Sequence, residues 1–162
     1  IGAMLCTSAI YNAIADGSGF FQHGHTYVGH PAAAAGGLAV VSAILERGLI
    51  DRVLAQGGRL RQRLQDVFGQ HAHVGDIRGR GLFRGIELVE DRGTKAPFNP
   101  SKGVAAKIKK AAFAEGLICY PMAGTIDGRR GDHILLAPPF IIEDDQIDEL
   151  TDKLDRAIGA VI

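Results

Sequence analysis

The chain has 162 residues, 46% of them hydrophobic, and 18 Lys and Arg balance 18 Asp and Glu. That apolar share supports a packed core and excludes wholesale disorder, and the charge balance excludes a dedicated nucleic-acid or polybasic membrane-binding protein. No apolar run reaches the roughly 18 residues of a membrane span, and the two cysteines, Cys6 and Cys119, lie far apart in apolar context, which fits a reducing cytoplasmic setting and not a disulfide framework.

In chain order, the apolar run 1–7 reads as a short buried strand. It carries neither an initiator Met nor a basic leader, so no signal peptide is expected. The chain reads instead as a fragment of something longer. Ser8 is placed to cap a helix through about Ala15, which Asp16-Gly17-Ser18-Gly19 stops. The adjacent Phe20 and Phe21 are expected to face a core or a partner subunit, since two exposed Phe side chains are costly.

The stretch His23-Gly24-His25-Thr26-Tyr27-Val28-Gly29-His30-Pro31 follows, and Ala32 to Ala35 come directly after it. Its chemistry leaves three readings open. His23, His25 and His30 could supply three nitrogen ligands to a metal, although no Cys, Asp or Glu lies close by as a fourth. The Thr26 hydroxyl and the glycine-flanked N–H groups, set before a helix start, suit a phosphate. The same residues could merely cap the helix.

Pro31 fits the first turn of a helix over 32–47. Gly48 interrupts it, and a second helix over 49–68 follows. There Ile50, Val53, Leu54, Gly57, Leu60, Leu64, Val67 and Phe68 share one stripe, while Arg52, Arg59, Arg61, Arg63 and Asp66 fill the other face. Residues 74–81 mark a change of register. Residues 82–89 alternate as a strand does, with Leu82, Ile86 and Leu88 inward. Arg78-Gly79-Arg80-Gly81 with Arg84 has the look of an RNA-binding tract, but a packed strand follows it in a neutral chain, so a solvated turn is the better reading.

Residues 91–100 form a loop, and Ser101 is placed to cap a helix that Gly116 ends. A strand over 117–120, a loop over 121–132 and a strand over 133–137 come next, closed by Pro138-Pro139. Acidic Glu143, Asp144 and Asp145 open the last helix, whose inner stripe is Ile147, Leu150, Leu154, Ile158 and Val161. Arg129 and Arg130 lie in the loop before the last strand. An arginine fork there can hold a carboxylate, or the two can be plain surface residues. His71 and His73 read as solvated turn residues, and no Ser/His/Asp or Cys/His triad is spaced for nucleophilic catalysis. Three segments follow: 1–47 as the end of a larger domain, 48–73 as a connecting helix, and 74–162 as a compact α+β domain.

At His23 to Ala35 the sequence resembles the class III aminotransferases, pyridoxal-phosphate enzymes of fold type I, an α/β fold. The shared pattern is a His-Gly pair, Thr-Tyr, Gly-His-Pro and an Ala-rich helix. Gly-His-Pro is similar to the branch that acts on ω-amino acids and amines with pyruvate. Val74 to Leu82, Gly85-Ile86-Glu87-Leu88, Gly116-Leu117-Ile118 and Gly131-Asp132-His133 through Pro138-Pro139 also match, so the resemblance covers almost the whole chain.

The resemblance implies that residues 1–47 end the large domain and 74–162 form the small C-terminal domain. It implies that Thr26, with the backbone at His25, binds the phosphate of pyridoxal 5'-phosphate in the other subunit of a homodimer. It implies ping-pong transfer of an amino group from an amine to a keto acid such as pyruvate. The family's Schiff-base lysine lies upstream of the segment that Ile1 to Met4 resembles, so the chain carries no catalytic lysine of its own and is expected to be inactive alone. The alternative is a catalytically inactive fragment that acts only as a structural or interaction domain. The family's carboxylate-binding arginine falls at Gly128 here, with Arg129 and Arg130 one and two positions later as its candidate replacements.

Overall fold

The computed structural model describes residues 1–162, which divide into two compact units, Ile1–Arg47 and Gly48–Ile162. No single helix is long and apolar enough to cross a membrane.

The first unit holds helix α1 (Ser8–Ala15) and helix α2 (Pro31–Glu46). Ser8 is the first residue of α1, not its cap, and Thr7 takes the extended N-cap position without a side-chain hydrogen bond. Residues 1–7 form no strand: they pair with nothing and are exposed. An apolar run becomes a strand only where a ladder partner takes its N–H and C=O groups. Neither helix has a buried residue, and Phe20 and Phe21 are exposed as well. A core for these two residues to face is therefore not within this unit.

The second unit opens with α3 (Leu49–Phe68), followed by strands β1 (Val74–Arg80) and β2 (Phe83–Leu88), helix α4 (Val104–Ala114), strands β3 (Tyr120–Ala123) and β4 (Asp132–Leu136), and helix α5 (Asp144–Gly159). The strands form one antiparallel sheet in the order β1-β2-β4-β3. Alternation sorts its faces. Ile86 and Leu88 of β2 and Ile134 and Leu136 of β4 are buried beneath the helices, whereas Phe83 is exposed on the other face. Leu60, Leu64 and Phe68 of α3 meet Ile147, Leu154 and Ile158 of α5 in the same core. Burial of such side chains contributes about 1.5–3 kcal/mol each.

The register change expected at 74–81 is strand β1. Pairing with β2 makes it one, from Val74 opposite Leu88 to Arg80 opposite Phe83, with an irregularity between Val74 and Asp76. Two of the three arginines of the tract are spent within the fold, and Arg80 is exposed. Arg78 bridges Asp76 at 2.8 Å and Glu87 at 2.6 Å, and those hydrogen bonds raise its pKa. Arg84 is buried, and its guanidinium donates to the carbonyls of Gly79 at 2.6 Å and Gly57 at 2.8 Å. Burial, and then the nearby Arg61, lower its pKa.

Helices α3 and α5 also meet along a ladder of ion pairs. Arg52 meets Glu143 at 2.8 Å, Arg59 meets Asp148 at 2.7 Å, and Arg63 meets Asp152 at 2.7 Å. Such partly exposed pairs add at most about 1 kcal/mol each, so the buried stripe holds the two helices together and the ladder sets their register.

Candidate functional site

The stretch from His23 to Pro31 is a loop that folds on itself just before α2. Val28 N–H donates to the His25 carbonyl at 3.1 Å, and His30 N–H to the Tyr27 carbonyl at 3.2 Å. Gly29, at φ +73, closes this double turn in a conformation that other residues rarely adopt. His30 is the N-cap of α2: its Nδ1 accepts a hydrogen bond from Ala33 N–H at 3.3 Å. Pro31 then occupies the first helical position, where its missing N–H costs nothing.

His30 is thus engaged as a cap, and His25 stands edge-on to His23 with ring centroids 5.1 Å apart. No group of three or more His, Cys, Asp or Glu side chains is arranged to hold a metal ion. The three-histidine reading finds no support in this geometry.

Thr26 behaves differently. It is exposed, its hydroxyl has no partner in the chain, and the backbone N–H groups of His25, Thr26 and Tyr27 donate to no internal acceptor. Several unspent donors next to a helix N-terminus fit a phosphate dianion, because each offers a charge-assisted hydrogen bond and the helix end adds partial positive charge. The chain's own residues therefore fit the phosphate end of the cofactor that the resemblance implies.

The other two candidates, Arg129 and Arg130, lie together in the β3–β4 loop of the second unit. Gly124 N–H donates to the Gly131 carbonyl at 2.8 Å, and Ile126 N–H to the Arg130 carbonyl at 3.0 Å. Glycine is required at 131: φ is +89, and a Cβ there would meet the Thr125 hydroxyl oxygen, Oγ1, at 2.6 Å. Asp127 is the loop residue that sequence reasoning missed. One carboxylate oxygen accepts from Arg129 N–H at 3.0 Å and Arg130 N–H at 2.7 Å, and the other accepts from Arg130 Nε at 2.7 Å. The Arg130 backbone and side-chain bonds, then the Arg129 backbone bond, pull the Asp127 pKa down to about 2. Asp-Gly in a glycine-rich loop was the available signal, since Asp side chains accept hydrogen bonds from N–H groups just ahead of them.

The sequence profile described as Aminotransferase class-III matches residues 1–158. The chain belongs to the class III aminotransferases. Among curated relatives, an uncharacterized aminotransferase of Schizosaccharomyces pombe is 43% identical over 145 residues, which covers 90% of this chain and 31% of the relative. A putrescine–pyruvate aminotransferase of Pseudomonas aeruginosa is 32% identical over 166 residues, which covers 100% of this chain and 34% of the relative. Among solved structures, a transaminase from the marine bacterium Virgibacillus superposes with a TM-score of 0.86 at 33% identity, over 96% of this chain and 34% of that one. The class III fold assignment, α/β of fold type I, therefore stands. The chain spans about a third of the length of the curated relatives it matches.

Proposed function

We propose that this chain is part of a pyridoxal-phosphate-dependent transaminase that moves an amino group from an amine or ω-amino acid to a keto acid such as pyruvate. Membership of the class III aminotransferases and the Gly29-His30-Pro31 sequence support the reading. The observation that carries it is the Thr26 loop, where an unpartnered hydroxyl and unspent N–H groups stand before α2. Thr26 and the backbone at His25 hold the cofactor phosphate, and they do so for the partner subunit of a homodimer. The exposed apolar surface of Ile1–Arg47 supports that partnership, because a helix as apolar as α2 gains most from burial against another surface.

In this reading residues 1–47 end the large domain, 48–73 connect, and 74–162 form the small domain. Bound pyridoxal phosphate supplies the electron sink that lets an amino group leave one carbon for another. This chain contributes phosphate binding through Thr26 and His25, and carboxylate recognition through the Arg129–Arg130 pair. The Schiff-base lysine lies outside residues 1–162, the chain alone is inactive, and the enzyme works in the cytoplasm. The buried core within Gly48–Ile162 supports a second reading, a folded structural or interaction domain without catalysis.

Amino transfer separates the two. The full-length protein, supplied with pyridoxal phosphate, an amine and pyruvate, should form alanine, and residues 1–162 alone should form none. Absence of alanine from the full-length protein would overturn the first reading and leave the second.

A further inference from the structure

The antiparallel sheet of the second unit packs its core side chains against the helices on one face only. Cross-strand partners lie on the same side of a sheet, so the register gives the composition of the other face. Tyr120 of β3 stands opposite Leu135 of β4, and Leu135 opposite Gly85 of β2. Met122 and Phe83, two residues along their strands, share that side. An antiparallel sheet can leave one face in water, and such a face then carries polar side chains at alternate positions. This one does so only at its β1 end, where Arg78 bridges Asp76 at 2.8 Å and Glu87 at 2.6 Å. Towards β3 it turns apolar, with Phe83 58%, Tyr120 56% and Met122 38% exposed. Gly85 leaves a shallow floor between them: a Cβ there would lie 3.6 Å from a methyl carbon of Leu135.

We infer that the apolar half of this face, Phe83, Leu135, Tyr120 and Met122, is a docking surface for another part of the protein's own full-length chain. The inference rests on membership of the class III family and on the length of its members, not on transamination. This chain spans 31% and 34% of two curated relatives, so most of a chain of that family is still to be packed against it. The size of the patch argues for an occupant on the same chain. Its partly exposed side chains offer on the order of 300 Å², whereas a stable interface between separate molecules takes about 800 Å² from each. A covalently linked segment loses no translational freedom on docking, so a small apolar patch is enough to hold it. Its contacting side chains are apolar, because the patch offers little to a polar one.

Hydroxyl-radical footprinting of the wild-type full-length protein reads the face directly. Phe83, Tyr120 and Met122, each scaled to its own oxidation rate in urea, should be about as protected as Phe68, which is fully buried within the second unit. Oxidation of the three at their urea rates overturns the inference. A photo-crosslinker, benzoylphenylalanine in place of Tyr120 in the full-length protein, then identifies what covers them. A crosslink at monomer mass to a peptide outside residues 1–162 supports the inference. A crosslinked dimer places a second copy on the face and overturns it, and so does a crosslink confined to residues 1–162. The same crosslinker in place of Phe83 repeats the test if the change at Tyr120 prevents folding. Neither measurement depends on catalysis, so a full-length protein that transfers no amino group loses the transaminase reading and leaves this inference to be decided by the footprint and the crosslink.

Discussion

The carboxylate of Asp132, buried at the start of β4, accepts a hydrogen bond from the backbone N–H of Ala105 at 3.2 Å. Ala105 lies in the first turn of α4, whose N-cap is Gly103, a residue with no side chain to offer. A strand residue 27 positions away thus caps the helix. Ser101, expected from the sequence to do so, instead belongs to a short 3₁₀ turn at Pro100–Lys102 that Asn99 caps. Asp132→Ala should leave a buried N–H unsatisfied and cost about 1–3 kcal/mol. Asp132→Asn, which retains an acceptor, should cost less. Urea denaturation of both variants checks the order, and equal losses would remove the capping role.

Two neighbouring glycines in α3 should respond in opposite directions to the same substitution. A Cβ on Gly57 would meet the carbonyl carbon of Gly81 at 2.4 Å, so α3 touches the β1–β2 turn backbone to backbone. Gly57→Ala forces those backbones apart and should cost about 3 kcal/mol. A Cβ on Gly58 meets nothing within 4 Å. Gly58→Ala should stabilise the chain by about 0.5–1 kcal/mol, because it restricts the unfolded state of a helical position. Thermal unfolding midpoints of the two variants should move apart from that of the wild type.

His71 makes folding sensitive to mild acid. Burial, and then the neighbouring His73, hold its pKa below the ordinary 6.5, with Arg92 acting the same way and Asp155 opposing. Its Nδ1 accepts a hydrogen bond from His73 N–H at 3.1 Å, and a proton placed on that nitrogen breaks the bond. The unfolded chain therefore takes up the proton more readily than the folded one. Stability from this group is complete above about pH 6.5 and is lost as pH falls from there through the lower folded pKa. His71→Asn, whose amide oxygen can accept the same N–H, should flatten the fall in stability below about pH 6.5. An unchanged pH profile in the variant would exclude His71 as its source.

Thr26 offers a test in which folding and cofactor retention part company. The side chain touches no partner in the chain, so Thr26→Ala should leave the unfolding transition of residues 1–162 unchanged. In the full-length protein the same change should weaken retention of pyridoxal phosphate by about 1.5–3 kcal/mol, the scale of a hydrogen bond to a charged group. Thr26→Ser should keep most of the affinity. Equilibrium dialysis of the cofactor measures both variants, and equal affinities would exclude the hydroxyl from the site.

Residue pattern alone marks the elements whose hydrophobic period completes several turns. The stripes Leu60, Leu64, Phe68 and Ile147, Leu154, Ile158 mark α3 and α5, and alternation marks β2, because burial on one face leaves its period in the order of residues. The turn at Thr26 is legible in the same way, since its glycines, Pro31 and hydroxyl are local requirements of a helix entrance. Strand β1 depends on long-range pairing: Gly75, Asp76, Arg78 and Gly79 have no strand pattern of their own and need the ladder that β2 supplies. Residues 1–7 show the converse, apolar enough for a strand but with no strand to pair with, and Asp132 caps α4 from across the fold. The inequality of Arg129 and Arg130 belongs to the same class. Both are arginines in one loop, and what separates them is the direction in which Asp127 turns its carboxylate, a matter of three-dimensional hydrogen-bond geometry that composition and spacing do not encode.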